Sequence, residues 1–259
     1  MNFVQLLDQA INTNQSSLCV GLDVDLSQLP AKYLGTDDPI LTFNIAVIEA
    51  TAGLVCAYKP NSAFYEMYGL YGLSSLIRTI DYIHAHTGAP VILDAKRGDV
   101  GHSSAAYAKA SFESFKADAV TVNPYMGHDS VKPFLEYRDK GVFVLCLTSN
   151  AGSKDFESAG GRDPLYLSVA KHVKEWNHYG NCGVVVGATK PEELKEITAI
   201  TGEMPVLIPG VGAQGGSLES AVRHGGQRPI INASRSIIYA ADPKAEAKKL
   251  RDEINACRQ

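Results

Sequence analysis

The sequence lacks a long apolar run: no window approaches ~18 uncharged apolar residues, so nothing in it reads as a membrane span. It also lacks a strong charge of either sign. Lys and Arg total 24 against 28 Asp and Glu, a net charge of −4. Without a basic field to track phosphates, nucleic acid is excluded as the default partner. The opening MNFVQLLDQA carries Asp8 and no basic stretch, and does not read as a secretory signal. Cysteine is scarce and unpatterned: Cys19, Cys56, Cys146, Cys182 and Cys257 are five in number, with no Cys-x-x-Cys spacing. That excludes a disulfide scaffold and a zinc ribbon, and fits reduced core thiols in a cytoplasmic protein. No Gly-x-Gly-x-x-Gly follows the first apolar run, where Cys19-Val20-Gly21-Leu22-Asp23 offers one glycine. A dinucleotide site is therefore disfavoured.

What is present is a repeating alternation. The 259 residues are 45% apolar and 20% charged, enough for a single large domain, taken as residues 1–259. Eight short β-rich runs recur, at 16–23, 53–59, 90–96, 117–123, 141–147, 182–188, 205–210 and 229–234. Most are continuously apolar, as strands buried on both faces must be. Helical segments separate them. Asp38-Pro39, Asp163-Pro164 and Asp242-Pro243 each place a capping carboxylate before a proline at the first helical position, and Thr189-Lys190-Pro191 resembles the same signal. Eight strand–helix units select an α/β fold of the (β/α)8 TIM barrel kind.

In such a barrel the active residues lie at the C-terminal ends of the strands. The run ends then give Asp23, Lys59, the hexapeptide Asp94-Ala95-Lys96-Arg97-Gly98-Asp99, and Thr148-Ser149-Asn150. They also give Pro209-Gly210-Val211-Gly212-Ala213-Gln214-Gly215-Gly216 and Ser234-Arg235-Ser236. Asp94 and Lys96, two apart, point to one side of a strand. Charges in an apolar run are costly unless paired or used, and four at three consecutive strand ends favour use. The glycine-rich stretch after run seven and Arg235 after run eight together suit a phosphate, through backbone N–H groups and a guanidinium fork. His84, His86, His102 and His128 form no metal-ligand pattern, and the tyrosines of 65–71 read as packing.

These motifs, in this order and over nearly the whole chain, resemble the orotidine 5'-phosphate decarboxylase family. The match rests on Leu22-Asp23, Lys59-Pro60-Asn61, Asp94-x-Lys96-x-x-Asp99, Pro209 to Gln214, and Arg235-Ser236, and its wording is similar to the longer bacterial branch. The resemblance implies decarboxylation of orotidine 5'-monophosphate to UMP without metal or cofactor, in UMP synthesis. It implies Lys96 as proton donor to C6, Asp94 beside the leaving carboxylate, and Lys59 and Asp99 completing a charge network. Asp23 and Lys59 would hold ribose hydroxyls, Ser149 or Thr148 the pyrimidine edge, and Pro209, Gln214 and Arg235 the substrate around its phosphate. Asp99 and Ser103 would serve the neighbouring site of a homodimer with shared active sites. One departure is Ser234, where many members have glycine. Two rivals remain: a metal-dependent phosphosugar decarboxylase or aldolase, which would want a Glu in the strand-three motif, and a non-catalytic phosphoribosyl-ligand binding protein.

Overall fold

A computed structural model describes residues 1–211 and 215–258. Its eight strands are β1 (Leu18–Gly21), β2 (Ala57–Lys59), β3 (Ile92–Arg97), β4 (Ala119–Val122), β5 (Gly141–Leu147), β6 (Cys182–Val186), β7 (Val206–Pro209) and β8 (Pro229–Ala233). All eight runs read from the sequence become strands. They pair in parallel in the order β2-β1-β8-β7-β6-β5-β4-β3. Between β3 and β2, parallel bridges at Tyr58↔Val91 and Asn61↔Asp94 bring the two ends of the sheet together.

Helices fill the connections, as parallel strands require. They are α1 (Phe3–Asn14), α2 (Ala31–Leu34), α3 (Pro39–Thr51), α4 (Ala63–Glu66), α5 (Gly69–His86) and α6 (Gly101–Lys109). Then follow α7 (His128–Leu135), α8 (Leu165–Trp176), α9 (Pro191–Thr201), α10 (Leu218–His224), α11 (Arg235–Ile238) and α12 (Pro243–Cys257). Asp38 and Asp242 cap α3 and α12 through Leu41 N–H and Ala245 N–H. Asp163 does not cap α8: Pro164 stays extended at ψ 153°, the helix starts at Leu165, and the carboxylate pairs with Lys171 instead. Lys190, not Thr189, occupies the cap position of α9, and no side chain bonds there.

The strands separate two apolar layers by alternation. Val20, Tyr58, Leu93, Val120, Val144, Val184, Ile208 and Ile231 face outward to the helices. Cys19, Ala57, Ile92, Ala119, Phe143, Val185, Leu207 and Ile230 fill the barrel interior. Helix α1 closes the floor, with Phe3 edge-on to Phe143 at 5.5 Å between ring centres. Gly141 makes room for it, since a Cβ there would come within 2.5 Å of the Phe3 ring. Cys19, Cys56, Cys146 and Cys182 are buried free thiols.

Candidate active site

The inward face changes character one step above this layer. Two residues beyond Cys19, Ala57, Ile92, Ala119 and Ile230 come Gly21, Lys59, Asp94, Thr121 and Asn232. The period of a strand therefore stacks a polar ring directly on the apolar plug. A cavity of about 310 Å³ opens above it. Asp23, Lys59, Asp94 and Lys96 line one part of its wall, Thr148 and Ser149 another, and Pro209 and Arg235 a third.

Asp94 is the hub. Its Oδ2 accepts from Lys59 Nζ at 3.1 Å, and its Oδ1 from Lys96 Nζ at 2.6 Å and Thr121 Oγ1 at 2.9 Å. The Asn61 amide reaches the same carboxylate at 3.5 Å. Burial alone would push the Asp94 carboxyl up, but Lys59, Lys96 and these bonds hold it well below the ordinary range. Burial likewise opposes the Lys59 ammonium, yet Asp94 and Asp23 outweigh it and raise its pKa above the ordinary lysine value. Both groups stay ionised. Asp23 Oδ1 and Asn232 Oδ1 are buried in the wall without a protein partner.

The two lysines differ in exposure. The Lys59 side chain is 4% exposed and that of Lys96 47%, so Lys96 is the ammonium presented to an occupant of the cavity. Its backbone is unusual. The β3–β4 register breaks between Leu93 and Arg97, and Lys96 sits at φ 48°, in the left-handed region. The Lys96 N–H still finds an acceptor in Thr121 Oγ1 at 2.9 Å. A strained conformation retained this way marks functional ground in many proteins.

Arg235 opens α11 immediately after β8. Ser234 stands before it at φ −124°, which needs no glycine. The Ser234 hydroxyl donates to Gly21 O at 3.1 Å and ties β8 to β1. Thr148 and Ser149 both line the cavity. The Thr148 hydroxyl is engaged by the Glu157 carboxylate at 2.9 and 3.0 Å.

Two expected site residues lie elsewhere. Asp99 and Ser103 do not line the cavity. Asp99 Oδ1 accepts from Val100 N–H, and Ser103 is exposed on α6. Gln214 lies outside the described residues. Sequence reasoning missed Thr121 and Asn232, each a lone polar residue at an inward position of an apolar strand, which was the available signal. The histidines stand apart: His84 bonds Asp118 at 2.8 Å and His128 rests against Trp176. Among the described residues, no group of three or more His, Cys, Asp or Glu is gathered to hold a metal ion.

Known proteins share this architecture. An orotidine 5'-phosphate decarboxylase from Azoarcus sp. (strain BH72) is 50% identical, over all of both chains. One from Herpetosiphon aurantiacus is 48% identical over 98% of this chain and 96% of its own. The solved structure of Leishmania donovani OMP decarboxylase superposes with a TM-score of 0.89 at 41% identity, covering 100% of this chain and 99% of that one. The model of the orotidine 5'-phosphate decarboxylase / HUMPS family matches residues 16–250. With the barrel, the charged strand ends and these full-length likenesses agreeing, the chain belongs to the orotidine 5'-phosphate decarboxylase / HUMPS family.

Proposed function

We propose that this protein decarboxylates orotidine 5'-monophosphate to UMP and CO2, the closing step of UMP synthesis. The whole chain, residues 1–259, acts as one barrel domain. The observation that carries the reading is the Lys59–Asp94–Lys96 array at the barrel mouth, with Arg235 on the same cavity wall.

The chemistry asks for this array. When the C6–carboxylate bond breaks, its electron pair stays on C6 in the ring plane, where no carbonyl can delocalise it. Stabilisation must come from a fixed opposite charge. The Lys96 ammonium supplies it and then gives C6 a proton. Lysine suits both tasks, being a compact cation that releases a proton where arginine would keep it. Asp94 holds that ammonium charged and aimed, and lies beside the leaving carboxylate. Lys59 keeps Asp94 ionised in turn and, with Asp23, takes the ribose hydroxyls. The buried, unpartnered Asp23 Oδ1 supports that role. Ser149 reads the pyrimidine edge from its place on the cavity wall. Pro209, Gln214 and Arg235 take the phosphate end, whose binding energy is spent far from C6 on orientation. The route calls for no cofactor and no metal.

The same reading makes the enzyme a cytoplasmic homodimer, and free cysteines suit a reducing compartment. Asp99 and Ser103 serve the partner's cavity. Their position outside their own cavity supports this.

The test is an ultraviolet assay of the pyrimidine chromophore with orotidine 5'-monophosphate and purified protein, with and without exhaustive chelation. Turnover that survives chelation is expected. No turnover would sink the reading, and a loss restored by Mg2+ would favour a metal-dependent enzyme.

A further inference from the structure

Asp23 has no partner of its own for Oδ1, yet the backbone on both sides of it is held by hydrogen bonds. The Leu22 N–H donates to Lys59 O at 3.1 Å. The Leu22 carbonyl accepts from the Tyr65 hydroxyl at 2.8 Å. Two residues past Asp23, the Asp25 N–H donates to the Tyr239 hydroxyl at 2.8 Å. The Leu26 N–H donates to the Tyr68 hydroxyl at 2.9 Å. Three tyrosine hydroxyls, from two separate connections of the barrel, thus grip the segment 22–26.

None of the three is merely a packed ring. Tyr65 is fully buried on α4, and its hydroxyl also accepts from the Asn44 amide at 3.0 Å. Asn44 in turn donates to Thr79 on α5, so the grip is anchored in the helical layer. Tyr239 is the C-cap residue of α11, the helix that Arg235 begins, and its N–H donates to Arg235 O at 3.3 Å. The arginine end of the cavity and the Asp23 end are therefore joined through one short helix and one phenol. Burial raises the pKa of both Tyr65 and Tyr239, so both remain neutral.

We infer that Tyr65 and Tyr239, with Tyr68 assisting, are positioning residues that set the Asp23 carboxylate against Lys59 and the ligand. This inference rests on the proposed decarboxylase reading of the cavity. A loop connection left free would let Asp23 sample many placements, and a misplacement of an ångström is costly in a preorganised site.

A double-mutant cycle tests it. Wild type, Tyr65→Phe, Asp23→Asn and the double variant are compared for kcat/KM with orotidine 5'-monophosphate. Tyr65→Phe should lower kcat/KM roughly tenfold, and should cost less than about twofold when added to Asp23→Asn, because it acts through that carboxylate. If the two losses multiply in the double variant, or if Tyr65→Phe lowers Tm while kcat/KM is unchanged, the inference is overturned. Should Tyr65→Phe fail to fold, Tyr239→Phe enters the same cycle with the same two outcomes. A wild type without turnover would fail the decarboxylase reading instead. The grip is then judged by hydrogen exchange of the Asp25 and Leu26 amides, which Tyr239→Phe and Tyr68→Phe must accelerate; unchanged exchange overturns it.

Discussion

Lys59 Nζ and Asp94 Oδ2 meet at 3.1 Å across the seam that closes the barrel, where β2 and β3 share only isolated bridges. One ion pair therefore joins the two ends of the sheet and presents charge to the cavity. Breaking a buried pair by removing one member costs ~3–5 kcal/mol, because the other is left uncompensated. Asp94→Ala should accordingly lose at least ~3 kcal/mol in urea unfolding as well as turnover. A loss below ~1 kcal/mol would show that the backbone bridges close the seam alone.

Lys96 carries opposite demands on stability and activity. If Lys96 is the proton donor as proposed, Lys96→Ala should cut kcat by at least ~10³-fold while UMP binding largely survives, since the ammonium would then act mainly in the transition state. Lys96→Gly should be equally inactive yet unfold later than Lys96→Ala by ~1 kcal/mol, because glycine accepts the left-handed backbone without strain. Near-normal kcat in either variant sinks the proton-donor role, and identical urea midpoints sink the strain argument.

If Arg235 holds the phosphate as proposed, Arg235→Ala should raise KM for the nucleotide strongly and leave the affinity for the phosphate-free nucleoside nearly unchanged, because only a charge-assisted phosphate contact is lost. Equal losses for both ligands would make Arg235 a structural residue.

Asp118 offers a pH test away from the cavity. Burial would raise its pKa, but His84, the Val91 N–H and Lys140 hold it below the ordinary carboxylate value. A carboxyl lowered on folding stabilises above its unfolded pKa of ~3.9, and that contribution disappears as pH falls through the folded value. The stability gap between wild type and Asp118→Asn should therefore be widest near neutrality and shrink as urea melts are taken into acid. A gap independent of pH would refute the assignment.

Subunit mixing tests the shared site. Lys59→Ala and Asp99→Ala are each inactive alone under this reading. Random exchange makes about half the dimers mixed, and each mixed dimer regains one intact site, so activity should return to about a quarter of wild type. No recovery, with exchange confirmed independently, places Asp99 in its own subunit's site.

Much of this was legible from inward-facing alternation. Ala57-x-Lys59 and Ile92-x-Asp94 state in sequence that an apolar layer gives way to a charged one, and the structure keeps that order. Asp94 and Lys96 were expected on one side, and their side chains do meet. What the pattern could not express is the register break after Leu93 that turns the Lys96 backbone left-handed. Such a break depends on the neighbouring strand, through Thr121. Asp163 failed as a cap for a local reason: an aspartate before proline looks alike in all three places, and only the ψ of Pro164 decides where the helix begins. The tyrosines of 65–71 read as packing because ring burial is visible in composition, whereas a hydroxyl aimed at the carbonyl of Leu22 is a tertiary fact.

The floor built by Phe3 and Phe143 has a bearing on traffic. With Phe3 and Leu7 sealed beneath the interior layer, the vessel has a mouth at one end and a stopper at the other. Gas and nucleotide then depart through the doorway by which the nucleotide came in.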